Sequence, residues 1–132
     1  ADNLASTGVK LQDGTYNVDL KIVQASGVVT SLVSGTSTTP HTFDLSTANS
    51  FTYTLATNPT VFHLANVTQG QKFIIRIEQD SGGGNDITWF STIKWAGGSA
   101  PTETTTGGKA DVFGFIAIET GLYDGFVIGQ NI

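Results

Sequence analysis

Apolar and polar side chains alternate with a period of two along most of this 132-residue chain. Every second residue is apolar between residues 15 and 22, and the same alternation recurs from Phe51 and again from Phe73. Successive side chains of a β-strand point to opposite faces, so this alternation predicts strands with one buried and one exposed face. Further strand candidates are residues 28–33, 41–45, 61–65, 87–90, 111–118 and 122–128.

Turn-forming residues separate these segments at intervals of about ten residues. The turn signals are Asp13-Gly14, Ser26-Gly27, Asn58-Pro59, Gln69-Gly70, residues 81–85, residues 96–101, Gly107-Gly108 and Asp124-Gly125. No window keeps apolar residues at helical spacing, and the best helical candidate is one short turn near residues 45–49. We expect eight or nine short strands.

Alternating segments separated by regular turn signals predict an all-β chain that forms one domain over residues 1–132. The expected architecture is a two-sheet antiparallel β-sandwich of jelly-roll type, with an immunoglobulin-like Greek key as the alternative. Residues 1–14 are expected to form an extended N-terminal arm.

Residues 112–118 are nearly apolar on both strand faces. This pattern predicts a central strand, covered on one face by the core and on the other by a second sheet or a neighbouring subunit. Gly114 within it indicates a bulge or a close approach of the backbone. Lys109 and Asp111 share one side of the same strand, where we expect them to shield a sheet edge.

The charge pattern excludes two classes of partner. The net charge is -5 with six Lys and Arg, which form no cluster: Lys10, Lys21, Lys72, Arg76, Lys94 and Lys109. Nucleic-acid binding draws much of its affinity from clustered cations, and an anionic membrane surface attracts the same clusters. We therefore expect neither nucleic acid nor a membrane as a partner. The lack of Cys excludes disulfides, thiolate zinc sites and Cys nucleophiles.

Catalytic chemistry finds little support in the sequence. Only two His occur, His41 and His63, and no G-x-S-x-G elbow places a nucleophile beside a base. Both are expected to be surface or half-buried strand residues. The spacing of these His does not suggest zinc, and the eleven acids favour no particular carboxylate pair. We predict a protein without catalytic activity or cofactor.

Residues 80–86 combine oxygen-rich side chains with three consecutive Gly. Such a segment could hold calcium, which takes six to eight oxygen ligands, but it lacks the EF-hand pattern. The preferred interpretation is a flexible hairpin loop that joins the strands on either side, with no metal.

Trp89 and Trp95 could stack on sugar rings. Alternation places Trp89 on one face with Ile87 and Trp95 on one face with Ile93, so core packing is the preferred interpretation. Tyr123, in the last hairpin, is the better candidate for an exposed aromatic side chain.

Several blocks in the second half of the chain follow a distinctive order and spacing. They are Trp89, residues 93–98, Pro101-Thr102, residues 108–115, residues 123–126 and residues 129–132. From Asn58 onward the chain resembles a recurrent C-terminal β-domain of bacteriophage virion proteins of the tail-fibre, head-fibre and decoration type. The resemblance implies a trimeric virion surface module whose shared residues are structural, with Gly97-Gly98 and Gly107-Gly108 at turns that need positive φ.

Three functions follow as hypotheses. The first is a capsid decoration or cement protein that stabilises the phage particle, a homotrimer in contact with capsid or other virion proteins. It would be located in the virion, which is assembled in the host cytoplasm. The second is a fibre-tip domain that binds a host surface glycan, and the third is a carbohydrate-binding module of a secreted bacterial enzyme. Loop residues proposed to contact a receptor or partner are Thr38, Asp80, Asn85, Asp86, Thr104 and Tyr123.

Overall fold

A computed structural model describes residues 32–36 and 38–132. The predicted N-terminal arm, the predicted strand at residues 15–22 and most of the one at residues 28–33 lie outside this range. Nine strands and no helix occur in the described part of the chain. The strands are β1 (Leu32–Thr36), β2 (His41–Asp44), β3 (Ser50–Leu55), β4 (Thr60–Ala65), β5 (Lys72–Gln79), β6 (Ile87–Thr88), β7 (Ile93–Trp95), β8 (Ala110–Glu119) and β9 (Leu122–Gly129).

The strands form two sheets. Sheet A has six strands in the order β1-β3-β5-β8-β9-β7, and sheet B has three in the order β2-β4-β6. Along the chain, β1 to β6 therefore alternate between the sheets. After two crossings the chain re-enters the same sheet in the same strand direction. Strands β1, β3 and β5 are therefore parallel to one another, as are β2, β4 and β6.

The all-β prediction is confirmed, whereas the prediction of antiparallel sheets is wrong. Among the described strand pairs, only β5–β8 and β8–β9 are antiparallel, and β7 pairs with β9 in parallel. Alternation determines which face a side chain occupies, but it carries no information about strand direction. Three of the turn signals mark crossings from one sheet to the other: Asn58-Pro59, Gln69-Gly70 and residues 81–85.

Aromatic side chains from both sheets form the core. The ring of Phe43 on β2 lies 5.2 Å from that of Phe51 on β3, and Phe62 on β4 lies 5.2 Å from Tyr53. Further along, the inward faces of β5 and β8 add Phe73, Ile75, Ile77, Phe113, Phe115 and Ala117. Burying side chains of this size supplies the main favourable term in folding.

The predicted turn at Asp124-Gly125 lies inside β9 instead. A Cβ at Gly125 would come within 2.8 Å of the Trp95 ring, so this glycine makes room for packing. The turn of the β8–β9 hairpin is at Thr120-Gly121, where Gly121 has a φ of 84°. Positive φ also occurs at Gly97, Gly98 and Gly108, as predicted, but not at Gly107.

The expectation that Asp111 shields an edge is also wrong. Strand β8 lies between β5 and β9, and Asp111 is only 3% exposed. The predicted helical turn near residues 45–49 is a hydrogen-bonded turn, in which the Thr47 N–H donates to the Asp44 carbonyl at 3.1 Å.

Candidate functional site

Two loops pack against each other at one end of sheet A. In this loop cluster, residues 80–86 lie along residues 102–108, and the Gly84 N–H donates to the Thr105 carbonyl at 2.8 Å. A Cβ at Gly83 would lie 2.6 Å from the Gly107 nitrogen, so only glycine permits the approach. The hairpin predicted for residues 80–86 is wrong, because β5 belongs to sheet A and β6 to sheet B.

The side-chain amide of Gln79 hydrogen-bonds to the backbone of both loops in the loop cluster. This side chain is 2% exposed, and its Nε2 donates to the carbonyls of Asn85 (2.7 Å) and Thr104 (3.0 Å). Its Oε1 accepts a hydrogen bond from the Asn85 N–H at 3.1 Å. Gln79 could not be identified from the sequence, since a polar residue at the end of a strand gives no sign that it is buried.

Four of the proposed contact residues lie at this end of the sheet and retain exposed surface. Thr38 and Asp86 are exposed, and Asp80 and Thr104 are half-buried. One Asp80 carboxylate oxygen accepts hydrogen bonds from the backbone N–H groups of residues 82 and 83 at 3.1 and 2.9 Å. The carboxylate therefore shapes its own loop.

The other two proposed contact residues are buried. Asn85 is 8% exposed and donates from Nδ2 to the Leu55 carbonyl at 3.1 Å. Tyr123 is 4% exposed and packs on Phe90 at the opposite end of the sheet, so its prediction as an exposed aromatic is wrong. Tyr123 is the second residue of β9 and lies on its inward face, which the misplaced turn at Asp124-Gly125 concealed.

The two histidines occupy different environments. His63 is exposed on β4, whereas the His41 ring packs 4.5 Å from Tyr53 and 4.6 Å from Phe43. Burial lowers the pKa of His41, and its Nδ1 shares a hydrogen bond of 3.0 Å with the Thr38 hydroxyl. No carboxylate among the described residues orients the His41 ring, and none of their His, Asp and Glu gather in threes to hold a metal ion.

The tryptophans are half-buried and pack against the core, on the side that the alternation predicted. Their rings lie 5.3 Å apart at an angle of 69°, so they form no flat platform for a sugar. Trp89 and Trp95 also contact Phe113 at 5.0 and 5.9 Å, and the Trp89 Nε1–H donates to Glu103 at 3.1 Å.

A second candidate surface lies on the outward side of sheet A. Strand β8 directs Phe113, Phe115 and Ala117 into the core, so the alternate residues face outward with their neighbours on β5 and β9. We call this surface the apolar face: Ile74, Val112, Gly114, Ile116, Ile118, Phe126 and Ile128. Ile74 and Phe126 are each 41% exposed and Ile128 is 57% exposed. The apolar face borders an open hollow of about 410 Å³ above Gly114, which Asn49, Ser50 and Lys72 also line.

The glycine at position 114 creates this hollow. A Cβ there would lie 3.0 Å from Ile128 Cδ1, so the close approach predicted at Gly114 is made by a side chain. The strand register shifts not at Gly114 but between Val112 and Phe113 and between Ala117 and Glu119. The apolar character of residues 112–118 on both faces was the sequence signal for this surface.

Comparisons with known proteins add no relative. No family model, no curated protein and no solved structure matches the chain. Within the described range, the chain forms no helix of the length and apolarity needed to cross a bilayer.

Proposed function

We propose that this chain is a structural protein of the bacteriophage virion surface, a decoration or cement protein that stabilises the capsid as a homotrimer. In this proposal the two sheets stack as a two-layer sandwich. Ring contacts such as Phe62–Tyr53, at 5.2 Å between sheets B and A, support that arrangement. The resemblance of the second half to virion β-domains supports the location.

The apolar face is the observation that carries the proposal. A densely packed aromatic core gives a stable scaffold, and a broad exposed apolar surface on its central strands is typical of a protein that assembles with others. A cement protein would gain its binding energy by burying such surface against its copies and the shell. This function needs no reactive group.

Capsid stability tests the proposal. Phage particles with and without the protein are compared for the temperature at which they release their DNA, and for survival in low salt. Particles without it should break at a lower temperature and regain resistance when purified protein is added. Unchanged particle stability combined with a loss of adsorption to cells would contradict the decoration function.

A fibre-tip domain that binds a host glycan is the second candidate. It is favoured by the convergence of Thr38, Asp80, Asp86 and Thr104 at one end of a rigid sheet, since loops on a rigid scaffold often carry recognition. A glycan array probed with the purified chain and with Asp86→Ala tests it. Binding that disappears in the variant would support this function, and an array without binding would count against it.

The third hypothesis, a carbohydrate-binding module, gains nothing from the aromatic residues. Trp89 and Trp95 both pack against Phe113 on β8, and the angle of 69° between their rings excludes a shared plane for stacking on a sugar.

A further inference from the structure

The apolar face stays exposed although it lies on the central strands of sheet A. We propose that copies of this chain cover the apolar face for one another. They would form a ring whose symmetry axis lies in front of the apolar face, parallel to β8. The inference rests on the homotrimer of the proposed function and names the surface that would hold it together. Ile74, Phe126 and Ile128 would be buried at the contacts.

The apolar face has a definite boundary. On the neighbouring β3, the outward residues are Ser50, Thr52 and Thr54, and on β5 an ion pair between Arg76 and Glu78 marks its end. Three strands and six residues of strand length span roughly 15 Å by 20 Å. A bounded patch of this size matches the largest apolar patch on many monomers, and such patches are often functional.

The shape of the surface is complementary to itself. Ile74, Gly114 and Phe126 lie side by side in one row across β5, β8 and β9. Phe126 projects from this row, and the hollow above Gly114 lies beside it. A neighbouring copy at the same height would place its own Phe126 at this hollow, which suits a projecting aromatic ring.

The charges are complementary in the next row. Lys72, Ile116 and Asp124 lie side by side across the same three strands, with the cation on one flank and the anion on the other. Among the described residues the single ion pair is Arg76–Glu78, so Lys72 and Asp124 make none there.

In a ring whose axis is parallel to β8, the residues of both rows would make contacts between copies. Rotation about such an axis preserves height along the strands, so the β5 flank of one copy meets the β9 flank of the next at the same row. Lys72 then meets Asp124, and Ile74 meets Phe126. Lys94, one strand beyond Asp124 on β7, faces the uncharged outward side of β3. An unrelated partner would not need opposite charges at equal heights on the two flanks.

Light scattering on the full chain tests the surface. The wild type should have the mass of three chains of 13.8 kDa each. Ile116→Glu, which places a charge at the centre of the apolar face, should weaken association at least about 100-fold and give monomers. The matched control Thr88→Glu adds the same charge at an exposed position on β6 of sheet B, away from the proposed contact, and should keep the wild-type mass.

Charge reversal separates assembly from folding. Lys72→Glu and Asp124→Lys should each weaken association by about fivefold, because each sets like charges against each other. The double variant should regain affinity, which a mere folding defect would not do. Circular dichroism of every variant checks that the sheets form.

The outcomes distinguish the surface from the function. A wild type that remains monomeric at millimolar concentration overturns both the ring and the homotrimer. A wild-type oligomer that Ile116→Glu leaves intact overturns the apolar face alone, and the trimer would then use another surface. A stable oligomer dissolved by Ile116→Glu supports the ring even if capsid particles prove indifferent to the protein.

Discussion

At the scale of single residues, buried polar side chains hydrogen-bond to the loop cluster and to the C-terminal residues, which lie outside the aromatic core. Asp111 accepts hydrogen bonds from the Thr104 N–H at 2.7 Å and the Asn131 N–H at 3.0 Å. One carboxylate therefore joins the loop cluster to the C-terminal residues. Charge-assisted bonds to backbone N–H groups are stronger than neutral ones, which compensates for taking the carboxylate out of water. A strand pattern cannot reveal this role, because Asp at this position looks like a surface residue.

His41 makes folding sensitive to pH. Because burial lowers its pKa below 6.5, the unfolded chain binds this proton more readily than the folded chain. The stability it contributes is complete above pH 6.5 and is lost as the pH falls through the lower, folded-state pKa. Hydrogen bonds from Ser46 and Asn66 lower the pKa of Asp44 below 3.8, so that group acts in a more acidic range.

We expect the wild-type Tm to fall between about pH 7.5 and pH 5.5, and to fall less in His41→Phe. Phenylalanine keeps an aromatic ring against Phe43 and Tyr53 but cannot bind a proton. Scanning calorimetry of both proteins at the two pH values measures the difference. An equal fall in the two proteins would assign the pH dependence to other groups.

At the scale of elements, the chain is organised by crossings between sheets. The segments between β1 and β6 carry the chain from one sheet to the other, and each crossing must bring the next strand back in register. Between β5 and β6 this register depends on Gln79, which binds backbone groups of both loops in the loop cluster. A hairpin needs no such clamp, because its two strands hydrogen-bond to each other directly.

Gln79→Ala should destabilise the fold by about 2–4 kcal/mol, since it leaves the carbonyls of Asn85 and Thr104 and the Asn85 N–H without their partner. Gln69→Ala, at an exposed position, is the matched control and should change stability by less than about 0.5 kcal/mol. Urea unfolding followed by tryptophan fluorescence gives both values. Similar losses in the two variants would mean that the clamp contributes little.

At the scale of the whole molecule, the two faces of sheet A have different tasks. The inward face completes the aromatic core, and the outward face is divided between polar β3 and the apolar face on β5, β8 and β9. If copies cover the apolar face, association is coupled to folding, and stability must depend on protein concentration.

We therefore expect the wild-type Tm to rise by on the order of 5 °C over a 100-fold increase in concentration. The Tm of Ile116→Glu should not change over the same range, because its monomers fold alone. Differential scanning fluorimetry across a dilution series measures both. A concentration-independent wild-type Tm would contradict a link between assembly and stability.

The sequence by itself identified most of the strands that the structure describes, but it did not identify β7. Alternation identified β3, β5, β8 and β9, because burial on one face demands apolar residues at every second position. It also marked residues 112–118 as apolar on both faces, which is the origin of the apolar face. The packing of Trp89 and Trp95 against the core followed from the same logic.

Only the tertiary structure decided strand direction, sheet membership and the buried polar contacts. Parallel and antiparallel neighbours impose the same alternation, so the crossings between sheets A and B left no trace in the pattern. Tyr123 and Asp111 were misplaced, and Gln79 was missed, since each depends on residues far away in the chain. Local sequence determines which side of a strand is buried, whereas long-range packing determines what buries it.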